Sequence, residues 1–159
     1  MTTTDIQPLL DVLTAPNVPD WTAFLNQTLA AFDCTTGTLH RYVGPRLDPQ
    51  TGLLTLVAYA GMPAFLLPKI SQIPVGKGMA GIAAERREAV QLCNLQTDES
   101  GVARPAARDT KVEGSIAVPL LLNGQLHGTL GIAKPVPYDF IDEEVAALMQ
   151  LGEAISRAW

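Results

Sequence analysis

The sequence predicts an α+β domain built on one central antiparallel sheet of five or six strands. Three observations predict it: paired β-prone runs, helical apolar spacing at both ends of the chain, and a helical segment after a Gly-rich turn in the middle. The 159 residues, 47% of them hydrophobic, suffice for one core, so we expect a single domain over 1–159 with its core at about 20–157. The terminal helices are expected on one face of the sheet, with a crossover helix and loop on the other.

Charge and composition exclude several classes of function. The net charge of −5 is spread along the chain and the 11 basic residues form no stripe, so a nucleic-acid partner is not expected. No run approaches the roughly 20 apolar residues of a membrane span, and the start MTTTDIQP lacks the features of a signal peptide. We therefore expect a cytoplasmic protein with no membrane partner. Cys34 and Cys93 have neither CxxC nor zinc-ligand spacing, which favours free, buried thiols in a reducing compartment.

The first half of the chain predicts two helices and a pair of strands. Apolar residues at helical spacing, followed by two prolines, predict a short helix that ends near Thr14. Asp20 is expected to be the N-cap of a second helix that closes near Asp33. The β-prone segments 35–43 and 53–60 flank a Pro- and Gly-containing loop, which predicts paired antiparallel strands.

The middle of the chain predicts a crossover. A Gly-rich turn precedes a helix over roughly 79–87, and strand character returns over 89–95. The segment 96–113 mixes charged and small residues without periodicity and is longer than an ordinary connection. We expect this segment to form a lid.

The last third predicts a hairpin and a long helix. Two strand-like runs, GSIAVPLLL and QLHGTLGIA, are joined by Asn123-Gly124, a strong hairpin signal. Asp139 is expected to be the N-cap of the final helix, which has acidic residues in its first turn. Its apolar stripe is expected to face the sheet or the helix of a partner subunit. The stripe consists of Ile141, Val145, Leu148, Gly152, Ile155 and Trp159.

Side-chain alternation predicts that the closing hairpin has one bulky and one small face. The bulky face, expected under the terminal helices, comprises Ile116, Val118, Leu120, Leu126, Leu130 and Ile132. The small face comprises Ser115, Ala117, Thr129, Gly131 and Ala133, with His127 at its edge and Thr38 and His40 on the first strand. The small face and the segment 96–113 are expected to enclose a pocket.

From about residue 20 to 157 the chain resembles the GAF domain family. The segment VGKGMAGIAAERREAVQLCNL looks like that family's Gly-rich turn, helix and strand, and GSIAVPLLLNGQLHGTLGIAKP looks like its closing hairpin. Phe140, Glu144 and Leu148 resemble the start of its last helix. The resemblance implies a fold rather than a chemistry, because GAF domains bind cyclic nucleotides, bilins, haem, amino acids, 2-oxoacids or nothing known. The NKFDE signature of the cyclic-nucleotide members is absent.

Two parts of the sequence resemble catalytic motifs, and a simpler explanation is favoured for each. The run 76–81 fits GxGxxG with Asp98 about 20 residues on, but Pro74 precedes it where a dinucleotide fold needs a buried strand. A tight turn is the better interpretation, although the amides at this helix start suit an anionic group. The free methionine-R-sulfoxide reductases, a group of GAF enzymes, need two reacting cysteines. The corresponding positions in this sequence are Ala80 and either Ala107 or Arg108, so both cysteines are missing. We therefore expect no catalysis.

The sequence favours a sensory or regulatory domain that binds a small ligand. His40 and His127, the only histidines, lack a metal-ligand pattern, so no metal is expected, and no cofactor is identified. Arg104 and Arg108 would meet an anionic ligand. A ligand-free module that dimerises through its first and last helices remains an alternative, as does a sulfoxide reductase. The candidate pocket residues are Thr38, His40, Met79, Cys93, Arg104, Arg108, Ser115, His127 and Thr129.

Overall fold

The computed structural model describes residues 4–45, 51–98, 100, 102 and 110–159. The helices in these ranges are α1 (Gln7–Thr14), α2 (Trp21–Ala31), α3 (Leu67–Ile70), α4 (Gly78–Arg86) and α5 (Asp142–Ala158), and a 3₁₀ turn (Ala64–Leu66) precedes α3. The strands are β1 (Thr36–Val43), β2 (Leu53–Ala60), β3 (Gln72–Pro74), β4 (Val90–Leu92), β5 (Ser115–Leu122) and β6 (Gln125–Ala133).

The strands form one antiparallel sheet of six, in the order β3-β2-β1-β6-β5-β4. Helices α1, α2 and α5 cover one side, which we call the helix face. Helix α4 packs against β5 and β6 on the opposite side, which we call the pocket face. The predicted α+β class, the strand number and the division of helices between the two faces are confirmed. Among the described residues, no helix is long and apolar enough to cross a bilayer.

The helix face holds the main hydrophobic core. Its most deeply buried side chains are large and at most 2% exposed, and they interlock between the sheet and three helices. Asp20 caps α2 as expected, because its Oδ1 accepts a hydrogen bond of 3.1 Å from the N–H of Ala23. At the other end of α2, the buried Lys134 donates from Nζ to the carbonyl oxygens of Phe32 at 2.7 Å and Asp33 at 3.0 Å. A cation thus satisfies the free carbonyls of that helix terminus.

Helix α5 begins two residues later than an N-cap at Asp139 predicts. Its N-cap is Ile141, and Oε1 of Glu144 accepts from the Ile141 N–H at 3.1 Å. The expected cap at Asp139 is therefore wrong, because Glu144 satisfies the N-terminus from inside the helix. The same carboxylate accepts from the Tyr138 hydroxyl at 2.6 Å, and this bond is the main cause that raises the pKa of Tyr138 to about 12. Leu148 and other central residues of the predicted stripe are buried.

The closing hairpin forms through the turn that the sequence predicts, with Asn123 and Gly124 at φ 53° and 75°. Its pairing then shifts: Leu120 lies opposite Gly128, whereas the next rung pairs Leu121 with Leu126. One extra residue therefore lies in β6, a β-bulge that strict alternation does not foresee. The bulge turns Leu126 to the pocket face, where it packs in a second core cluster, so its expected place under the helices is wrong.

The C-terminal residue lies against the sheet at this bulge. A Cβ at Gly128 would collide with the His40 carbonyl oxygen and with the ring of Trp159, so only glycine admits the indole here. The Arg41 guanidinium lies 5.5 Å from the centroid of the Trp159 ring. The Trp21 ring packs edge-on against the Trp159 ring, with 5.6 Å between the two centroids. The end of α5 is thereby fixed to the rung that joins β1 and β6.

Candidate functional site

Two adjoining cavities open on the pocket face, and together we call them the groove. Their volumes are about 130 and 160 Å³. They share five lining residues, so they form one continuous recess between the sheet, α4 and the end of the segment 96–113. The shared residues are Thr38, Met62, Met79, Ala80 and Thr110.

The first cavity lies over the small face of the closing hairpin. Ser115, Ala117 and Gly131 line it, together with Ala133 and with Thr38 from β1. These side chains are too small to reach α4, so the space between the sheet and the helix is left open. The structure therefore brings together in this cavity four of the five small-face positions that alternation selected, all except Thr129.

The second cavity combines apolar walls with positive charge. Leu66, Ile70 and Ile73 form its apolar side, and the exposed Lys69 and Lys77 also line it. Lys77 is the N-cap of α4, and its side chain makes no capping hydrogen bond. No acidic residue among those described lines either cavity. Two lysines and the start of a helix therefore line the second cavity, and both features are typical of sites that attract anions.

The Gly-rich turn has the structural role favoured by its sequence context. Gly78 has φ 68°, a conformation that suits glycine, and a Cβ at Gly81 would lie 2.6 Å from the Pro74 carbonyl oxygen. The strand before this turn is only three residues long and ends at that proline. The turn therefore lets the first residues of α4 pack tightly against the backbone of Pro74 and Gly76. It does not form a dinucleotide-binding fingerprint.

His40 and Thr129 lie on the pocket face behind the groove wall. They are opposite each other on β1 and β6 and are 1% and 0% exposed. The Nε2–H of His40 donates to the carbonyl oxygen of Ile70 at 2.8 Å. Burial lowers the pKa of His40 below its ordinary value of 6.5, so the imidazole is neutral at neutral pH. Neither residue lines the two cavities directly.

The remaining predicted residues do not join the groove. Cys93 is exposed and lines neither cavity, so the expectation of a buried thiol there is wrong. Cys34 is buried on the helix face, and burial is the main cause that raises its thiol pKa to about 12. His127 is half-buried at the bulge and also lies outside both linings. Arg104 and Arg108 lie outside the described residues.

Sequence reasoning missed many of the lining residues, and four of them have polar or flexible side chains that bear on ligand binding. Met62, Lys69 and Lys77 come from the connection before α4, and Thr110 comes from the end of the lid segment. Lys77 could have been found, because a lysine within a Gly-rich helix start is a signal for an anion. Within the described residues, no three metal-ligating side chains cluster.

The architecture and the groove together define a class: a small α+β domain with a recess between its sheet and a crossover helix. The family model of the GAF domain matches residues 20–159, and the chain belongs to that family. A comparison with curated proteins finds no match.

Solved structures with the same fold include GAF domains of larger proteins and enzymes. The GAF domain of a phosphoenolpyruvate-protein phosphotransferase from Coxiella burnetii is 21% identical, with 99% of this chain and 96% of that chain covered and a TM-score of 0.73. The corresponding Acinetobacter domain is 18% identical, with 99% and 93% covered and a TM-score of 0.73. Free methionine-R-sulfoxide reductase from Neisseria meningitidis, solved with its substrate, is 22% identical, with 94% and 83% covered and a TM-score of 0.70. At such identities the likeness shows the fold alone.

Proposed function

We propose that this GAF domain is a non-catalytic sensory domain that binds a small organic anion in the groove. The observation that carries the proposal is the charge of the lining: Lys69 and Lys77 line the second cavity, and no described acidic residue lines either one. The only ion pair among the described residues lies elsewhere, between Arg157 and Glu153. Both lysines are therefore available to a ligand.

The size of the groove supports a small metabolite. The second cavity, about 160 Å³, equals the liquid volume of roughly five water molecules at about 30 Å³ each. Large cofactors such as tetrapyrroles need far more space, since drug-sized ligands already occupy pockets of about 300–1,000 Å³. A short-chain acid fits the described cavities.

The position of the groove supports a regulatory role. The groove is bounded by α4 on one side and by Thr110 and Val112 of the lid segment on another. A ligand there contacts several elements at once, and it shifts their arrangement if it binds one arrangement more tightly than another. Binding and signalling are thus separate parts of the proposal and need separate measurements.

Binding is tested by calorimetric titration and thermal shift with acetate, butyrate, succinate and inorganic phosphate. A ligand at 100 times its dissociation constant stabilises the fold by about 2.7 kcal/mol. The double variant Lys69→Gln, Lys77→Gln is expected to weaken binding of the anion at least tenfold. Arg86→Gln, at the opposite end of α4, is the control and is expected to leave affinity unchanged. Equal affinity in the double variant and the wild type would reject the groove as the site.

We propose that the domain is not an enzyme and that it is located in the cytoplasm. Ala80 lines both cavities and occupies the position where free methionine-R-sulfoxide reductases need a thiol. Cys34 and Cys93 line neither cavity. A purified-protein assay of free methionine-R-sulfoxide reduction tests this, because sustained turnover would contradict a non-catalytic role. Two free thiols favour a reducing compartment.

A second proposed function is homodimerisation through the terminal helices. A separate recess of about 480 Å³ lies between α1 and α5 and is lined by Leu10, Leu13, Ala154 and Ala158 together with polar groups. Such a surface between neighbouring helices suits a second copy of the chain. Light scattering of the wild type and of Leu10→Lys tests it: a dimer that becomes a monomer in the variant is expected, and a monomeric wild type at high concentration rejects it.

A further inference from the structure

Two buried polar side chains lie one rung inward from the groove. On the β1–β6 ladder, Thr38 is opposite Gly131, and His40 is opposite Thr129 on the next rung of the same face. Thr38 and Gly131 line the first cavity. Because a strand rises about 3.3 Å per residue, the His40–Thr129 pair lies about 7 Å further along this face.

The hydrogen bonds of this pair are incomplete. The carbonyl oxygen of Ile70 can only accept, so the neutral imidazole of His40 carries its proton on Nε2 and a lone pair on Nδ1. This Nδ1 and the Thr129 Oγ1 have no hydrogen-bond partner among the described residues. Folded proteins pair about nine in ten or more of their buried polar groups, so two unpaired atoms on one rung require an explanation.

The pair adjoins the second cavity. Ile70, which receives the His40 hydrogen bond, lines that cavity together with Thr38 and Ala80. On this side the cluster contributed by α4 consists of alanines, Ala80 and Ala84. Ile70 is thus the contact between the rung and the cavity, and a ligand that reaches the rung requires a shift of Ile70.

We propose that His40 and Thr129 form the inner polar end of the groove and select an anion that carries a hydroxyl group away from its charge. This inference rests on the binding function proposed above and names the class of ligand, a short-chain hydroxycarboxylate. The carboxylate lies at the lysine end of the second cavity. The hydroxyl group donates to Nδ1 of His40 and accepts from the Thr129 hydroxyl, which satisfies both atoms.

Hydrogen-bonding capacity distinguishes the hydroxyl from related groups. A keto oxygen only accepts, so it pairs with Thr129 and leaves Nδ1 of His40 unpaired. An ammonium group only donates, and it buries a positive charge beside two neutral groups. A methylene group pairs with neither atom. The expected order of affinity is therefore hydroxy acid first, with oxo, amino and unsubstituted acids behind it.

Calorimetric titration with butyrate and with 2-, 3- and 4-hydroxybutyrate tests the selection. One hydroxybutyrate is expected to bind at least tenfold more tightly than butyrate, since a hydrogen bond that pairs a buried group is worth about this factor. In long-range ¹H–¹⁵N spectra, the Nδ1 resonance of His40 is expected to move with that hydroxybutyrate and not with butyrate. His127→Gln assigns the two imidazoles, because the chain has only 2 histidines.

Substitutions at Thr129 supply the matched control. Thr129→Val keeps the shape and removes the hydroxyl, so it is expected to lower hydroxybutyrate affinity about tenfold while butyrate affinity and melting temperature do not fall. Thr129→Ser keeps a hydroxyl and is expected to restore the preference.

The outcomes separate the two proposals. If all four acids bind equally and Lys77→Gln weakens each of them, hydroxyl selection is rejected and the anion site stands. If Thr129→Val instead lowers the melting temperature and leaves every affinity unchanged, the pair is an internal hydrogen bond and the inference is overturned. If none of the acids binds, both this inference and the short-chain ligand class are rejected.

Discussion

The two faces of one sheet differ in what fills them. On the helix face, Phe24, Leu25 and Leu148 are at most 2% exposed and belong to a continuous aliphatic and aromatic core. On the pocket face, Ser115, Gly131 and their neighbours leave two cavities under α4. The same strands supply both sets of residues, because successive side chains point to opposite faces. We infer that the helix face supplies most of the stability, whereas the pocket face is free to serve a ligand.

The strongest test of this difference is a truncation in the helix-face core. Leu148→Ala is expected to reduce the free energy of unfolding by about 2–5 kcal/mol, because the packed surroundings cannot close the cavity that remains. Urea unfolding measures it. Leu53→Ala, at a side chain that is 37% exposed, is the control and is expected to cost much less. A loss below about 1 kcal/mol in Leu148→Ala would contradict the assignment of stability to this face.

The next effect concerns the buried cation of the helix face. Lys134→Met removes the donor to the Phe32 and Asp33 carbonyls and is expected to cost about 1–3 kcal/mol, since a buried and a half-buried acceptor lose this donor. Chemical unfolding compared with Lys111→Met, an exposed lysine, isolates the effect. If the two variants are equally stable, Lys134 does not act as a helix cap.

Enlarging a side chain in the groove is expected to have a smaller effect on stability. Ala80→Leu adds carbon atoms to both cavities and is expected to change the free energy of unfolding by less than about 1 kcal/mol, while binding of the anion is lost. Ala146→Leu, on the exposed side of α5, is the control and should keep binding. A large destabilisation by Ala80→Leu would mean that the pocket face is packed as tightly as the helix face.

The smallest effect at neutral pH concerns His40. Its pKa is lowered by burial, so between that value and 6.5 the unfolded chain binds a proton that the folded chain does not. Stability contributed by the neutral imidazole is thus fully present above pH 6.5 and is lost as the pH falls below it. Thermal melts from pH 7 to 5 are expected to show a shallower decline for His40→Gln than for wild type. Parallel declines would indicate that His40 titrates normally.

Much of the fold follows from local signals in the sequence. Asp20 and the Asn123-Gly124 turn act through hydrogen bonds and backbone angles within a few residues, and both form as predicted. The sequence did not predict the elements within the connection 61–74, because α3 has only four residues and β3 only three. Strands this short carry no periodicity. The formation of β3 depends on its pairing with β2 rather than on a local pattern.

The site was harder to predict than the fold. Alternation selected Ser115 and Gly131 correctly for the small face of the sheet, whereas Leu126 was misplaced by a bulge that depends on pairing rather than composition. Cys93 was expected to be buried because cysteine usually is, yet it is exposed and directly follows β4, a strand at the sheet edge. Lys69 enters the groove from a segment that has no regular pattern, so its role required coordinates.

The contact between the last residue and the sheet gives the domain a built-in optical probe. The indoles of Trp21 and Trp159 are 5.6 Å apart and inclined by 66°, close enough for their excited states to couple. Trp159 also lies on Gly128, directly beside the rung of His40 and Thr129. We expect a displacement of the His40–Thr129 rung to change the relative orientation of the two indoles. Near-ultraviolet circular dichroism of the unlabelled protein measures that change.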